Sequence, residues 1–280
     1  MKIHWTKVQL QRLHELNADD LSLNIQFDHC KDRDSAYQNL EQKLATQARR
    51  TLSCIREGQR QHSLSALECR LAESLTSHGF VQVVSPIIMS RELLVKMSIS
   101  DGHPLNKQIY WLDSHTCLRP MLAPHLYYIL KDLLRLWERP VRIFEVGPCF
   151  RKESAGAKHS TEFTMLNLVE MGMPSENRES RLKELAHLVV TTAGISEYHL
   201  ERKECVVYGE TIDIIAGHSG LELGSGAMGP HKLDHAWKIK ENWMGIGFGL
   251  ERLLMVSRNG RNISRMSRSL TYLDGTRLNV

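Results

Sequence analysis

The segment FRKESAGAKHSTEF, Phe150 to Phe163, sets a cation and an anion two residues apart (Arg151, Glu153). A loop of small residues follows, then His159, and then Phe163 where an apolar run restarts. Side chains of a strand alternate faces. Before the loop, Phe144, Val146 and Phe150 fall on one face, and Glu145, Cys149, Arg151 and Glu153 on the other. After it, Thr164, Leu166 and Leu168 share a face, with Phe163, Met165, Asn167 and Val169 opposite. A solvated face more usually carries Lys, Thr and Glu, so an asparagine among Met and Phe reads as the lining of a pocket. Taken alone, Arg151 and Glu153 read equally as a surface ion pair over an ordinary hairpin, since such pairs are common and weak.

Two further stretches raise the pocket reading. In GIGFGLERLL, Gly245, Gly247 and Gly249 alternate up to Glu251, Arg252 and a helical apolar run. This is neither the G-x-G-x-x-G dinucleotide fingerprint nor a P-loop. Alternating glycines in a strand mark close approach of another group to the backbone, by packing or by a ligand. Arg252 falls in the first turn of the following helix, where the dipole disfavours a cation and a bound anion offsets the cost. In LELGSGAMGP, residues 221–230, Glu222 and Ser225 stand in a run too small-sided for ordinary core. Oxygen ligands so spaced suit Mg²⁺ held against phosphates, and a tight packing strand is the competing reading.

The elements that position these residues follow from periodicity. The first 60 or so residues read as helix: His4–Leu16, then a stripe of Tyr37, Leu40, Leu44, Ala48, Leu52 and Ile55 stopped by Gly58. A third helix is expected from about Ser65, with Glu68 completing a capping box and Gly79 as its stop. FVQVVSPII and IYWLD read as strands, HLYYILKDLLRLW and 178–193 as helices, and GIGFGLERLLMV as strand into helix. Hairpin-length connections favour α+β, an antiparallel sheet flanked by helices, over a doubly wound fold. The boundaries expected are an N-terminal helical segment, 1–60, and a larger domain, 61–280.

Composition agrees with a globular protein: 42% apolar and 24% charged residues exclude a disordered chain. The apolar runs are too short for a membrane span and the N-terminus lacks a signal-peptide core, which reads as cytoplasmic. Six scattered cysteines with no C-x-x-C pair argue against a structural zinc site. A formal charge of +4 permits a polyanionic partner without demanding one.

Together the three motif stretches resemble the class II aminoacyl-tRNA synthetases over roughly residues 65–260. GFVQVVSPII is similar to motif 1, FRKESAGAKHSTEF to motif 2 and GIGFGLERLL to motif 3. CLRPMLAPHLYYIL, IFEVGPCFRKES, EFTMLNLVEMG and SLTYLDGTRLNV narrow the resemblance to the pyrrolysine branch, over nearly the whole chain. The resemblance implies ATP as a substrate. Arg151 would contact its α-phosphate, Glu153 the adenine amino group and His159 the γ-phosphate side. Phe163 would stack on adenine with Arg252 against the other face, and Glu222 and Ser225 would hold Mg²⁺. Ala123, Leu126, Tyr127, Leu130, Asn167, Val169, Tyr208 and Trp243 match the amino-acid pocket, with Asn167 bonding the side-chain carbonyl and Tyr208 capping the ring.

Motif 1 implies a homodimer, and the branch implies the tRNA for pyrrolysine as partner. The chain resembles either the bacterial form, whose tRNA-binding domain is a separate small protein, or the form that lacks that domain. Archaeal relatives have Cys where Val169 stands and E-L-S-S-A where this chain has Glu222-Leu-Gly-Ser-Gly, so a reshaped pocket floor is expected. The N-terminal helix with Lys2, Lys7 and Arg12 resembles a tRNA-gripping segment. Arg258, Arg261, Arg265 and Arg268 would form a phosphate-tracking stripe if helical, or an ordinary solvated face. The alternatives are a synthetase-like RNA-binding or regulatory protein without catalysis, and a class II synthetase for another large amino acid.

Overall fold

The computed structural model describes residues 2–59, 61–152, 160–217, 219–260 and 262–280. The chain forms two compact units, Met1–His62 with Ser269–Val280, and Ser63–Arg268. The tail 269–280, expected with the larger domain, packs instead with the N-terminal helices.

In the smaller unit, α1 (Lys7–Glu15) starts at a capping box: Gln9 N donates to Thr6 Oγ1 at 3.2 Å and Thr6 N to Gln9 Oε1 at 3.0 Å. A short α2 (Asp20–Leu23), which periodicity did not reveal, is capped by Asp19, whose carboxylate accepts from Ser22 N at 2.7 Å. The long α3 (Cys30–Cys54) runs into a π-turn, Ile55–Gln59, that contains Gly58. Trp5, Leu13, Leu23 and Phe27 make this unit's core. The tail forms a hairpin, Tyr272–Leu273 against Thr276–Arg277, and Arg277 pairs with Glu15 at 3.3 Å. Arg12 pairs with Glu41 at 2.9 Å and Lys2 with Asp28 at 3.0 Å.

The larger unit opens with α4 (Ser63–Ser77), which buries Leu64, Leu67, Leu71 and Leu75. Ser65 lies inside this helix rather than at its cap, and Gly79 turns the chain at φ +81°. Then follow β1 (Val81–Gln82), β2 (Ile88–Ser90), α5 (Arg91–Lys96), β3 (Thr116–Leu118), α6 (Ala123–Leu136), β4 (Val141–Phe150) and β5 (Glu162–Met171). After them come α7 (Arg178–Thr192), β6 (Tyr198–Cys205), β7 (Gly209–Ala216), β8 (Glu222–Gly229), α8 (Asp234–Trp237), β9 (Trp243–Gly249) and α9 (Leu250–Ser257). Seven strands form one sheet in the order β1-β4-β5-β9-β8-β7-β6, antiparallel except for the β1–β4 pair. The expected α+β architecture is present.

Period two holds through the central hairpin. Phe144, Leu166, Leu168, Ile246 and Phe248 face α4, α7 and α9 in one core. Val141, Ile143, Met171 and Trp243 face α6 in a second core on the other side of the sheet. Three expectations fail. FVQVVSPII is not one strand: after Val83 the chain leaves β4, because Ser85 N and Oγ bond the Glu145 carboxylate (3.1 and 2.7 Å) and Pro86 has no N–H to give. IYWLD is not a full strand: it pairs with β3 through a single bridge, Trp111 to Cys117. The Asp113 carboxylate then takes the backbone N–H groups of His115 and Thr116 at 2.6 and 2.7 Å, which turns the chain. The arginine series after Ser257 is not helical: α9 ends there, and Asn262 caps a 3₁₀ turn, Ile263–Arg265. Arg258 donates to Ser63 Oγ and Arg268 to Thr164 Oγ1 (2.9 Å), so both are tied to the unit's own body. Arg261 lies outside the described residues.

Candidate active site

Strands β5, β9 and β8 lie side by side as the floor of a cavity of about 500 Å³. Their register sets Asn167 and Ser225 opposite Gly247, and Val169 and Ala227 opposite Gly245. A Cβ on Gly247 would stand 3.3 Å from both amide atoms of Asn167, and one on Gly245 3.3 Å from Val169. The bare strand therefore lets its neighbours' side chains lean across it, and leaves the floor as backbone. Gly224 and Gly226 serve a different purpose from the one expected. Their missing Cβ atoms would meet Phe248 (2.6 Å) and Leu182 (2.8 Å), in the helix-side core beneath the sheet. They permit packing under the floor, while their backbone lines the chamber above it.

The apolar wall is the face of α6 that carries Ala123, Leu126, Tyr127 and Leu130, all lining the cavity. Spacing of i, i+3, i+4 and i+7 brings them to one stripe. Asp234, itself 2% exposed, holds two aromatics from below: Tyr127 Oη donates at 3.2 Å and Trp243 Nε1 at 2.8 Å. Tyr127 stacks on Trp237 (5.3 Å between centroids), and Tyr208 meets Trp243 edge-on at 6.2 Å. Burial raises the pKa of the Tyr127 and Tyr208 hydroxyls, which keeps both as neutral donors. Within this chamber the amide oxygen of Asn167 is buried without a hydrogen-bond partner.

The other end of the cavity is charged. Arg151 donates through Nε to the Pro120 carbonyl at 2.9 Å and lays its guanidinium over the Phe163 ring, 5.2 Å from the centroid. Arg252 sits on the first turn of α9 and reaches Glu222, its carbonyl at 3.1 Å and its carboxylate at 3.5 Å. Ser225 Oγ donates to Asp213 Oδ1 at 2.6 Å, which leaves its lone pairs to face the cavity. Beside Arg252, the Glu251 carboxylate turns inward and accepts from Thr164 N at 2.8 and 2.9 Å. Burial pushes its pKa above the usual carboxylate range despite those bonds. Glu222 and Ser225 offer oxygen donors of the kind Mg²⁺ takes alongside waters and phosphates. No cluster of three His, Cys, Asp or Glu side chains suited to a metal is present among the described residues. The thirteen other expected site residues line this one cavity, while Glu153 and His159 lie outside the described residues.

Residues 51–275 match the family described as tRNA synthetases class II core domain (F). The chain is 51% identical to pyrrolysyl-tRNA synthetase from Desulfitobacterium hafniense, with TM-score 0.94 and 99% of both chains covered. The chain belongs to the class II aminoacyl-tRNA synthetases, in their pyrrolysyl branch. A second structure of the D. hafniense enzyme matches this synthetase at 50% identity and TM-score 0.91, over 99% of this chain and 96% of that one. More distant is the histidine–tRNA ligase of Methanocaldococcus jannaschii, 27% identical over 125 residues, 43% of this chain and 29% of that protein. A threonine–tRNA ligase of Ehrlichia chaffeensis is 28% identical over 95 residues, 33% of this chain and 15% of that protein. The synthetase thus spans under a third of the length of such curated relatives.

Sequence reasoning missed the supports of the site. Asp213 holds Ser225 from 12 positions away, and Asp234 holds Trp243 from 9 and Tyr127 from 107. A carboxylate in the otherwise apolar run TIDII was the available signal for Asp213. Met121 also lines the cavity, and nothing in its spacing separates it from core.

Proposed function

We propose that this synthetase activates pyrrolysine with ATP and transfers it to the tRNA for pyrrolysine. The single observation that carries the amino-acid half is the buried, unpartnered Asn167 amide at an apolar chamber. A buried amide needs a polar partner, and a long aliphatic side chain bearing an amide supplies one inside an otherwise apolar wall. A phosphate-bearing amino acid would call for arginines, and the wall described above has none. The likeness to the D. hafniense enzyme over the full chain supports the same substrate.

The amino-acid carboxylate is ionised at neutral pH, so no general base is needed. One of its oxygens attacks the α-phosphorus, a bond to pyrophosphate breaks, and an aminoacyl-adenylate remains. A hydroxyl of the tRNA's terminal adenosine then attacks the acyl carbon and AMP leaves. Arg151 and Arg252, both fixed before ATP arrives, meet the charge that develops on the phosphates. Phe163 offers a flat face to the adenine, with Glu153 reading its amino group and His159 the γ-phosphate side. Glu222 and Ser225 would hold Mg²⁺, which screens charge on the transferring phosphates. Tyr208 closes the chamber over the ring.

The smaller unit contacts tRNA, motif 1 makes a homodimer in the cytoplasm, and a separate small protein supplies further tRNA contacts. The exposed apolar residues Val81 (45%), Val84 (86%) and Ile88 (55%) support the dimer, because a lone chain would leave them in water. No helix among the described residues is long and apolar enough to cross a membrane. The test is ATP–pyrophosphate exchange with Mg²⁺ and no tRNA, offering pyrrolysine, lysine and phenylalanine separately. Exchange with pyrrolysine or a close Nε-acyl-lysine alone is the expected result. Exchange with another amino acid would discard the substrate, and none at all would favour a non-catalytic chain.

A further inference from the structure

Beneath the charged end of the cavity lies a buried polar network that touches no expected ligand. Arg119 and Glu145 are 2% and 1% exposed and pair at 2.7 Å. Ser85 completes the set: its hydroxyl donates to Glu145 Oε2 (2.7 Å) and accepts from Arg119 Nη1 (3.0 Å). His125 Nδ1 lies 3.1 Å from the same oxygen. The one Ser85 proton is given to Glu145, so His125 must be the donor there. A buried ion pair is poor evidence of stability, since desolvation offsets much of the attraction. Its cost calls for another use.

The geometry points outward to the site. Arg119 Nε donates to the Pro148 carbonyl at 2.7 Å, and Phe150 N donates back to the Arg119 carbonyl at 3.0 Å. Two bonds therefore lock the Arg119–Pro120 segment against β4 just before Arg151. The next carbonyl, that of Pro120, is the acceptor for Arg151 Nε. Gly147 makes room for the arrangement: a Cβ there would stand 2.1 Å from Arg119 Nη2. Lysine carries one nitrogen on a flexible stem and cannot bond both Glu145 and the Pro148 carbonyl as the guanidinium does.

We propose that Arg119, fixed by Glu145 and Ser85, is a positioning residue that aims Arg151 at the α-phosphate. The proposal rests on the ATP reading of the site. Its test uses the full chain and measures the affinity of Mg·ATP and, separately, of an Nε-acyl-lysine. Arg119→Lys and Ser85→Ala weaken ATP binding and slow adenylate formation by about ten- to a hundredfold, the scale of a misplaced catalytic group. The amino-acid affinity stays within about twofold, because the network meets α6 at His125, which does not line the chamber. In an Arg151→Lys background, adding Ser85→Ala changes ATP affinity by less than about twofold, since the group it positions is already altered. Parallel loss of both ligands, additive losses in the double variant, or unchanged ATP kinetics would each overturn the proposal. Should Arg119→Lys fail to fold, Ser85→Ala and the double variant still decide it. An unaltered chain that binds no ATP would sink the functional reading instead.

Discussion

Replacing Asn167 by leucine separates recognition from folding. In the free chain the Asn167 amide oxygen is buried with no partner. A buried polar group left unpaired costs about 1–3 kcal/mol, and an apolar side chain of similar volume removes that cost. For a domain of this size each kcal/mol shifts the unfolding midpoint by roughly 2–4 °C. Leucine's branched end must fit where the flat amide leans across the bare Gly247 backbone, so repacking takes back part of the gain. Thermal unfolding without ligands should therefore show Asn167→Leu unchanged or raised by a few degrees, about 2–6 °C. In pyrophosphate exchange, the same variant loses the hydrogen bond to the amino-acid side chain. A loss of about 1–3 kcal/mol lowers kcat/KM for pyrrolysine by roughly 5- to 150-fold, with KM for ATP little changed. A midpoint that drops by several degrees, or a matching loss for ATP, would refute the reasoning and make Asn167 a structural residue.

Four other outcomes are expected. Arg252→Ala lowers adenylate formation by about a hundredfold or more, yet keeps its unfolding midpoint, since among the described residues its hydrogen bonds go to Glu222 at the cavity rim; loss of folded protein would contradict this. Gly226→Ala presses on Leu182 at 2.8 Å and costs about 1–3 kcal/mol in urea unfolding with amino-acid preference intact; altered preference would put that Cβ in the chamber after all. Burial, and then the Arg119 charge, lower the pKa of His125 from its usual 6.5. The unfolded chain thus binds a proton the folded chain refuses, and stability falls as pH drops below about 6.5. His125→Asn should flatten the urea midpoint between pH 7 and 5.5, and an unchanged slope would exclude His125 as its source. Finally, burial lifts the Cys117 and Cys149 thiols to about 11 and about 12, so mild alkylation of the folded chain marks Cys30, Cys54 and Cys69, which are exposed; labelled Cys149 would mean the hairpin opens.

What was legible in the chain was whatever a short period governs. Alternation alone assigned Asn167, Met165 and Phe163 to the face that lines the cavity, and the i, i+3, i+4 stripe of α6 follows from spacing. Failures came where a side chain outbid the backbone pattern. Asp113 drew two amides into a turn, and Ser85 turned to Glu145, sixty positions away, instead of extending a strand. The arginines at 258 and 268 looked like a free stripe because their partners, Ser63 and Thr164, are distant in sequence. Resemblance to a family supplied the roles at the charged end. Period and composition said only that an anion and a divalent cation would suit it.

The sheet ends in two unlike borders. On one side β1 pairs over two residues and then departs. On the other, β6 carries Glu201, Arg202, Lys203 and Glu204 in succession. Arg202 is bound to Glu179 and Glu210, and Lys203 to Glu201 and Asp213. A strand arriving from another molecule finds too little ladder at the first border, and at the second must strip water from charges of both signs. The long hairpin at the centre is thus shielded from templating fibrils, and any docking of a second copy onto this unit has to proceed through side chains rather than shared strands.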